Sequence, residues 1–401
     1  MDARFTKAGL SRMRSVLSGY VERGEHSGLA TFVSRGDEVH VDVYGSLGFD
    51  SSQAVRPDTI FRIASMSKPV IAAGAMLLVE DCVLRLDDPI DALLPELADR
   101  TVLRSVDAQV DDTVAAVRPI SVRDLLTFRC GIGMVFAPEG RYPIQDAHDE
   151  ALGMPGPPRP QDMPAPDEWM RRVGSLPLVF QPGERWLYNT AADVLSVLVE
   201  RASGQRLDAF LRERLFEPLG MRDTGFSVPE AAIDRLGTHY ANDWRTGERV
   251  VFDEGRGGQW SRPPAFFSGA GGLVSTVVDY AAFATMLLRD GRHGGEQLLS
   301  RASVRLMTAD HLTAEQKAPP VLGPAMFGVT GWGFGGRVIT DREGVGLSPG
   351  SYGWDGGLGS SAYADRAEDV VTVLMTQQAW TAPQPPAIHH DFWTTSYAAL
   401  A

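Results

Sequence analysis

The nonapeptide Phe61-Arg62-Ile63-Ala64-Ser65-Met66-Ser67-Lys68-Pro69 decides how the rest of this 401-residue chain is read. It sets a serine and a lysine three residues apart where a helix begins. On a helix, positions i and i+3 share a face about one turn apart, so the amine can reach the hydroxyl. Pro69 locates the helix start, because proline breaks a hydrogen bond in mid-helix but none in the first turn. The chain has only three lysines, Lys7, Lys68 and Lys317, among 38 basic residues. Arginine does not give up its proton in a protein, whereas a buried lysine does. Lys68 can therefore serve as a base if its pKa falls from about 10.4 towards neutrality, at roughly 1.4 kcal/mol per unit, through burial or a positive field. Ser65 would be the nucleophile it activates. The Ser65 amide, unpaired at a helix start, would point where an oxyanion forms. Ser-x-x-Lys alone is a weak pattern and needs partners.

Two further segments supply them. In Gln181-Pro182-Gly183-Glu184-Arg185-Trp186-Leu187-Tyr188-Asn189-Thr190, a Pro-Gly turn leads to a tyrosine just before a helix. A phenol beside a lysine can share or relay a proton, so Tyr188 is a second base candidate. In Gly353-Trp354-Asp355-Gly356-Gly357-Leu358-Gly359-Ser360-Ser361, glycines between two strand-like runs let a backbone approach a ligand closely. An amide there could complete an oxyanion hole with Ser65.

Around these motifs the pattern is that of an ordinary globular protein, 44% hydrophobic and 22% charged. The net charge of −13 argues against nucleic acid or an anionic membrane as partner. The N-terminal residues lead into an amphipathic helix, and no run of about 18 apolar residues occurs, which reads as a cytoplasmic protein. Cys82 and Cys130 are expected as buried thiols, a single disulfide being the alternative. No Cys/His cluster has zinc spacing, and neither metal nor cofactor is expected.

Helical periodicity runs over 8–23, and 28–46 reads as a hairpin turning at Arg35-Gly36-Asp37-Glu38. The Ser65 segment continues as a buried helix to Val79. Further helices are expected at 121–128, 190–203, 207–215, 276–291 and near 301–309. The stretch 134–168, with Met154-Pro155-Gly156-Pro157-Pro158-Arg159-Pro160, is irregular and is expected to roof a pocket. Gly331–Thr340, Ser351–Asp355, Ser360–Ala364 and Val370–Gln377 read as antiparallel strands. The fold class is therefore α/β (α+β), an antiparallel sheet flanked by helices. Residues 1–75 and 271–401 would build the sheet domain from both termini, and 76–270 would form an inserted, mainly helical lobe.

The three motifs, in this order and at these separations, resemble the serine β-lactamase and penicillin-binding protein (transpeptidase) superfamily. The nearest likeness is to class C β-lactamases and the family VIII carboxylesterases. It covers nearly the whole chain, with Leu84–Pro89, Ile120–Leu126 and Gly269–Ser275 also similar to recurrent segments. The resemblance implies Ser65 as acyl-forming nucleophile, Lys68 as its base partner and Tyr188 as the second-motif tyrosine. It implies an oxyanion hole from the amides of Ser65 and Gly357. Trp354, Asp355, Gly356 and Trp186 are the expected substrate-binding residues, with Phe266 and Trp332 shaping the pocket.

This chain also departs from the pattern. The family's third motif is Lys-Thr/Ser-Gly, whose lysine helps bind the substrate carboxylate. Here it is Trp354-Asp355-Gly356. Tryptophan at this place is found in the family VIII esterases, which favours a neutral small-molecule ester as substrate. Thr190 stands where class C enzymes carry asparagine, and Asn189 is one position early. β-Lactam or D-aminopeptidase-type amide hydrolysis, acyl transfer, and a binding protein without turnover are the alternatives. Gly346-Leu347-Ser348-Pro349-Gly350 matches G-x-S-x-G, but that motif needs a helix after its serine, and strand-like sequence follows. Ser348 is not expected to be a nucleophile. His389-His390 is expected at the surface or packed at a sheet edge. Oligomeric state is not legible.

Overall fold

A computed structural model describes all residues except 1–3, 154–155, 244, 318–326 and 343. Its centre is a seven-stranded antiparallel sheet with strands from both ends of the chain. In chain order these are β1 (Gly28–Arg35), β2 (Glu38–Gly45), β3 (Thr330–Trp332), β4 (Arg337–Ile339), β5 (Tyr352–Gly356), β6 (Ser360–Asp365) and β7 (Val370–Thr376). Their spatial order is β3-β4-β5-β6-β7-β1-β2. The β1–β2 hairpin turns where its Arg-Gly-Asp-Glu sequence predicts, with Arg35 opposite Glu38.

Successive side chains along a strand point to opposite faces, and here both faces are covered. Leu29, Val33, Tyr363 and Leu374 pack against two terminal helices, α1 (Lys7–Glu22) and α5 (Ala387–Tyr397). Ala30, Phe32, Trp354, Ala362, Val371 and Val373 face the large core built by α2 (Ser67–Glu80), α3 (Thr190–Ser203) and α4 (Val277–Leu288). Burial on both faces explains why β7 reads Val-Val-Thr-Val-Leu-Met-Thr with little alternation. Trp354 therefore looks towards α2, and its neighbour Asp355 looks the other way.

The expected helices are present, 190–203 with its ends as read. Thr276 and Ser121 cap α4 and the helix Val122–Leu126 by accepting amide hydrogens from Asp279 and Asp124. α2 runs across position 75, where the drawn lobe boundary fell. Several expectations need correction. The stretch 134–168 contains a helix, Pro143–Leu152, whose proline sits at its first position and starts it. Cys82 is exposed, because α2 ends before it and it takes a left-handed backbone with φ of 59°. Cys130 is buried, burial pushing its thiol up to about 12, and both cysteines are free. His389 lies on α5 with its ring in the core, while His390 is exposed. Among the described residues no helix is long and apolar enough to cross a membrane.

Candidate active site

The Ser65 segment begins in a two-residue strand, Phe61–Arg62, paired with Val274–Ser275. Arg62 is buried with Asp253, its Nη2 lying 2.5 Å from Oδ2, and it also donates to the carbonyls of Gly237 and Glu254. A 3₁₀ turn, Ala64–Met66, then leads into α2. Ala64 holds φ of 43°, a left-handed backbone that costs a non-glycine residue about 1–3 kcal/mol. Four hydrogen bonds fix the bend. Ile63 N–H donates to Leu273 O, Ser67 Oγ donates to Ala64 O, Leu273 N–H donates to Ser67 Oγ, and Tyr280 Oη donates to Met66 O. Pro69 falls in the first turn of α2, as its sequence position predicts.

Ser65 is partly exposed, and two groups converge on its Oγ. Lys68 Nζ donates to it at 2.9 Å and Tyr188 Oη donates at 2.8 Å. Lys68 is 1% exposed. Burial lowers its pKa to about 7, the charge of Asp193 opposing that shift. Its ammonium also donates to Ala270 O at 2.5 Å and lies 4.5 Å from the centre of the Tyr188 ring. Burial pushes the Tyr188 phenol up to about 12, against its hydrogen bonds to Ser65 and from Trp354. Asn189, directly after Tyr188, holds φ of 80° before α3 begins. Left-handed residues thus stand beside both Ser65 and Tyr188.

The third motif meets this pair from the sheet. Trp354 Nε1 donates to Tyr188 Oη at 2.9 Å, and the indole lies edge-on to Tyr188 and Trp332. A Cβ on Gly356 would collide with Ile63 O, so only glycine lets β5 lie this close to the nucleophile turn. Ser360 Oγ donates to the same carbonyl at 3.0 Å. Gly357 is exposed at the tip of the β5–β6 hairpin, where its carbonyl accepts from Trp380 N–H at 2.8 Å.

Not every expected residue faces this centre. Trp186 is fully buried and stacked on Tyr188 with ring centres 5.6 Å apart, so it backs the tyrosine and offers no ligand contact. The Asp355 side chain points to the opposite face of the sheet, where it accepts from Tyr363 Oη at 3.0 Å and pairs with Arg337 at 3.2 Å. Strand alternation beside Trp354 requires this. Phe266 packs on Trp169. Ser348 is 1% exposed, accepts from Arg342 and is followed by β5, with no helix after it.

Two residues of consequence carried no motif. Arg337 on β4 lies over the Trp354 indole, 4.7 Å from the ring centre. A cation thus stands one strand from the place where the third motif has none. Asp193 on α3 is the buried acid behind Lys68. Its partners, Ser268 and Ala270, are more than seventy residues away, so no local spacing marks it.

The irregular stretch touches the site at both ends. Met134 N–H donates to Tyr188 O at 2.9 Å, and Phe136 lies 6.2 Å from the Tyr188 ring. A Cβ on Gly271 would sit 3.2 Å from the Pro158 ring and 3.8 Å from the Ala64 carbonyl carbon. Among the described residues no group of three His, Cys, Asp or Glu side chains is gathered to hold a metal.

A serine with a buried lysine and a tyrosine on its Oγ, at the junction of an antiparallel sheet and a helical region, defines the serine-hydrolase architecture of β-lactamases and penicillin-binding proteins. The chain belongs to the β-lactamase family, whose model, described as Beta-lactamase, matches residues 13–389. Protein Rv1367c of Mycobacterium tuberculosis is 37% identical over 362 residues, 89% of this chain and 87% of its own length. Esterase EstB of Burkholderia gladioli is 29% identical over 394 residues, 94% of this chain and 92% of its own. The structure of EstCE1, described as a hydrolase with promiscuous acyltransferase activity, superposes with a TM-score of 0.78 at 22% identity, covering 98% of this chain and 99% of its own.

Proposed function

We propose that this protein is a serine carboxylesterase that cleaves small or short-chain carboxylic esters through an acyl-enzyme on Ser65. The observation that carries the reading is the double hydrogen bond at Ser65 Oγ, from a lysine held near neutrality and from Tyr188. Neutral Lys68 takes the hydroxyl proton as Oγ attacks the ester carbonyl. Tyr188 holds its hydrogen bond to the oxygen that Lys68 deprotonates, and is the second base candidate. The amides of Ser65 and Gly357 receive the oxyanion, an interaction whose loss costs roughly 100- to 1000-fold in rate. The alcohol leaves with a proton from the same pair. Water then attacks the acyl carbon and releases the acid. Trp354 in place of a carboxylate-binding lysine favours a neutral ester over an anionic lactam, and the likeness to esterase EstB points the same way.

A second reading is acyl transfer, in which an alcohol or amine acceptor replaces water in the last step. The description of EstCE1 as both hydrolase and acyltransferase keeps it open. Parallel assays of p-nitrophenyl acetate, p-nitrophenyl butyrate and the cephalosporin nitrocefin test the proposal. Ester cleavage with little nitrocefin turnover is expected. Dominant nitrocefin turnover would overturn the esterase reading. Ester consumption that depends on an added acceptor alcohol would favour transfer.

A further inference from the structure

Asp193 is a buried carboxylate that the three motifs leave without a role, and its surroundings tie it to Lys68. It sits in the first turn of α3, 6% exposed. Its Oδ1 accepts from Ser268 Oγ at 2.6 Å and from Ala270 N–H at 3.0 Å. Ser196, on the same helix, accepts from Gly269 N–H at 2.9 Å. α3 therefore grips three consecutive residues, Ser268 to Ala270. The carbonyl of the last of these accepts the Lys68 ammonium at 2.5 Å. Asp193 and Lys68 thus hold Ala270 from its two sides, by its N–H and its carbonyl, and Lys68 also reaches Ser65.

Two hydrogen-bond donors alone do not require a carboxylate, since an asparagine oxygen would accept the same two hydrogens. Burial raises the pKa of this carboxyl, and the hydrogen bonds from Ser268 and Ala270 and the charge of Lys68 oppose that rise. A carboxylate held against burial is expensive and persists where something uses it. Among the described residues no arginine or lysine lies within ion-pair distance of Asp193, and Lys68 is the cation whose charge it feels. The groups facing Lys68 are few. Asp193 comes from α3, Tyr188 from the loop before it and Ser65 from the turn before α2. Arg337 and Asp355 on the sheet lie beyond Trp354 and act on Tyr188. Burial alone drives the lysine towards the neutral form, and a fully neutral lysine would hold neither Ala270 O nor Ser65 Oγ as firmly.

We propose that Asp193 is a positioning residue for the Ser65 reaction, bracing the Ser268–Ala270 segment that anchors Lys68 and using its negative charge to set the pH at which Lys68 gives up its proton. The inference rests on the reading of Ser65 as nucleophile. It assigns Asp193 no contact with substrate.

The test is the pH dependence of fluorophosphonate labelling at Ser65, read by peptide mass, in wild type, Asp193→Asn, Asp193→Glu and Ser268→Ala. The wild-type rate should rise through about pH 7, the value burial gives Lys68. Asparagine keeps the acceptor and removes the charge, so the limb should move to lower pH by about one unit or more. Ser268→Ala weakens the hold on the carboxylate without touching Lys68, and should move the limb the same way by less. Asp193→Glu should restore it towards the wild-type position. A lower plateau with an unmoved limb in the folded variants would make Asp193 merely structural and overturn the proposal, as would a limb moved upwards. If Asp193→Asn does not fold, an unmoved limb in Ser268→Ala overturns it alone. Wild type that does not label at Ser65 would overturn the esterase reading instead.

Discussion

Trp354 and Tyr188 are joined by a hydrogen bond of 2.9 Å from indole nitrogen to phenol oxygen, and Tyr188 in turn donates to Ser65. The third motif therefore meets the second through a neutral donor where the wider family supplies a cation. The positive charge nearest to it, on Arg337, is stacked over the indole and paired with Asp355 on the far face of β5.

Trp354→Phe should lower kcat/KM for p-nitrophenyl butyrate about 5- to 10-fold, the worth of one neutral hydrogen bond of about 1 kcal/mol. The melting temperature should change little, since most of the aromatic packing remains. Unchanged kcat/KM would mean that the indole N–H does not orient Tyr188 in turnover. Trp354→Lys should raise nitrocefin turnover relative to ester turnover, and a constant ratio would contradict the third-motif assignment.

The pH dependence follows from burial of Lys68. Only the neutral amine accepts a proton, and its pKa is lowered to about 7. Below that value the active fraction falls about tenfold per pH unit, and above it the rate levels off. Steady-state kcat/KM for a neutral ester should therefore rise through pH 7. A rising limb near the ordinary lysine value would show that burial does not lower the Lys68 pKa, and a rate independent of pH between about 5 and 9 would show that Lys68 is not the base.

Ser65, Lys68 and Pro69 were legible because helix geometry turns a three-residue spacing into a shared face, and because proline tolerates only the first turn. Tyr188 was legible from the turn and helix around it. The strands were legible from their apolar runs and glycine turns. Asp193 and Arg337 were not, because their roles depend on neighbours far away in sequence, Ala270 for one and Trp354 for the other. The left-handed backbone at Ala64 was equally hidden, since alanine carries no signal of it and tertiary contacts impose it. Pro143 reads as a loop residue among so many prolines, yet it opens a helix. The outward face of Asp355 follows from alternation once Trp354 is placed, which needed the register of β5 with β6.

Asp253→Ala should be strongly destabilising. Arg62 and Asp253 are 1% and 3% exposed, and removing the carboxylate leaves a buried guanidinium without its partner. The expected cost is about 3–5 kcal/mol. Urea denaturation should find the midpoint greatly reduced or the protein unfolded. A loss under about 1 kcal/mol would contradict the buried pair.

Acid should destabilise the fold before carboxylates titrate. Burial lowers His26 to about 4 and His389 to about 3, against 6.5 in the unfolded chain. Above 6.5 both states are neutral and stability is unaffected. Below it the unfolded chain takes up protons that the folded one refuses, so stability falls with pH, by about 1.4 kcal/mol per unit for each histidine. Denaturation midpoints should drop between about pH 7 and pH 5.5, and less so in His389→Gln. Equal midpoints would contradict the burial of these rings.

The central claim is that Ser65 carries the acyl group. Incubating wild type, Ser65→Ala and Ser348→Ala with a fluorophosphonate, then measuring intact mass, modified peptide and residual p-nitrophenyl butyrate cleavage, tests it most directly. A single adduct on Ser65 with parallel loss of activity is expected in wild type and Ser348→Ala, and neither adduct nor turnover in Ser65→Ala. An adduct elsewhere, or ester cleavage retained by Ser65→Ala, would contradict the account.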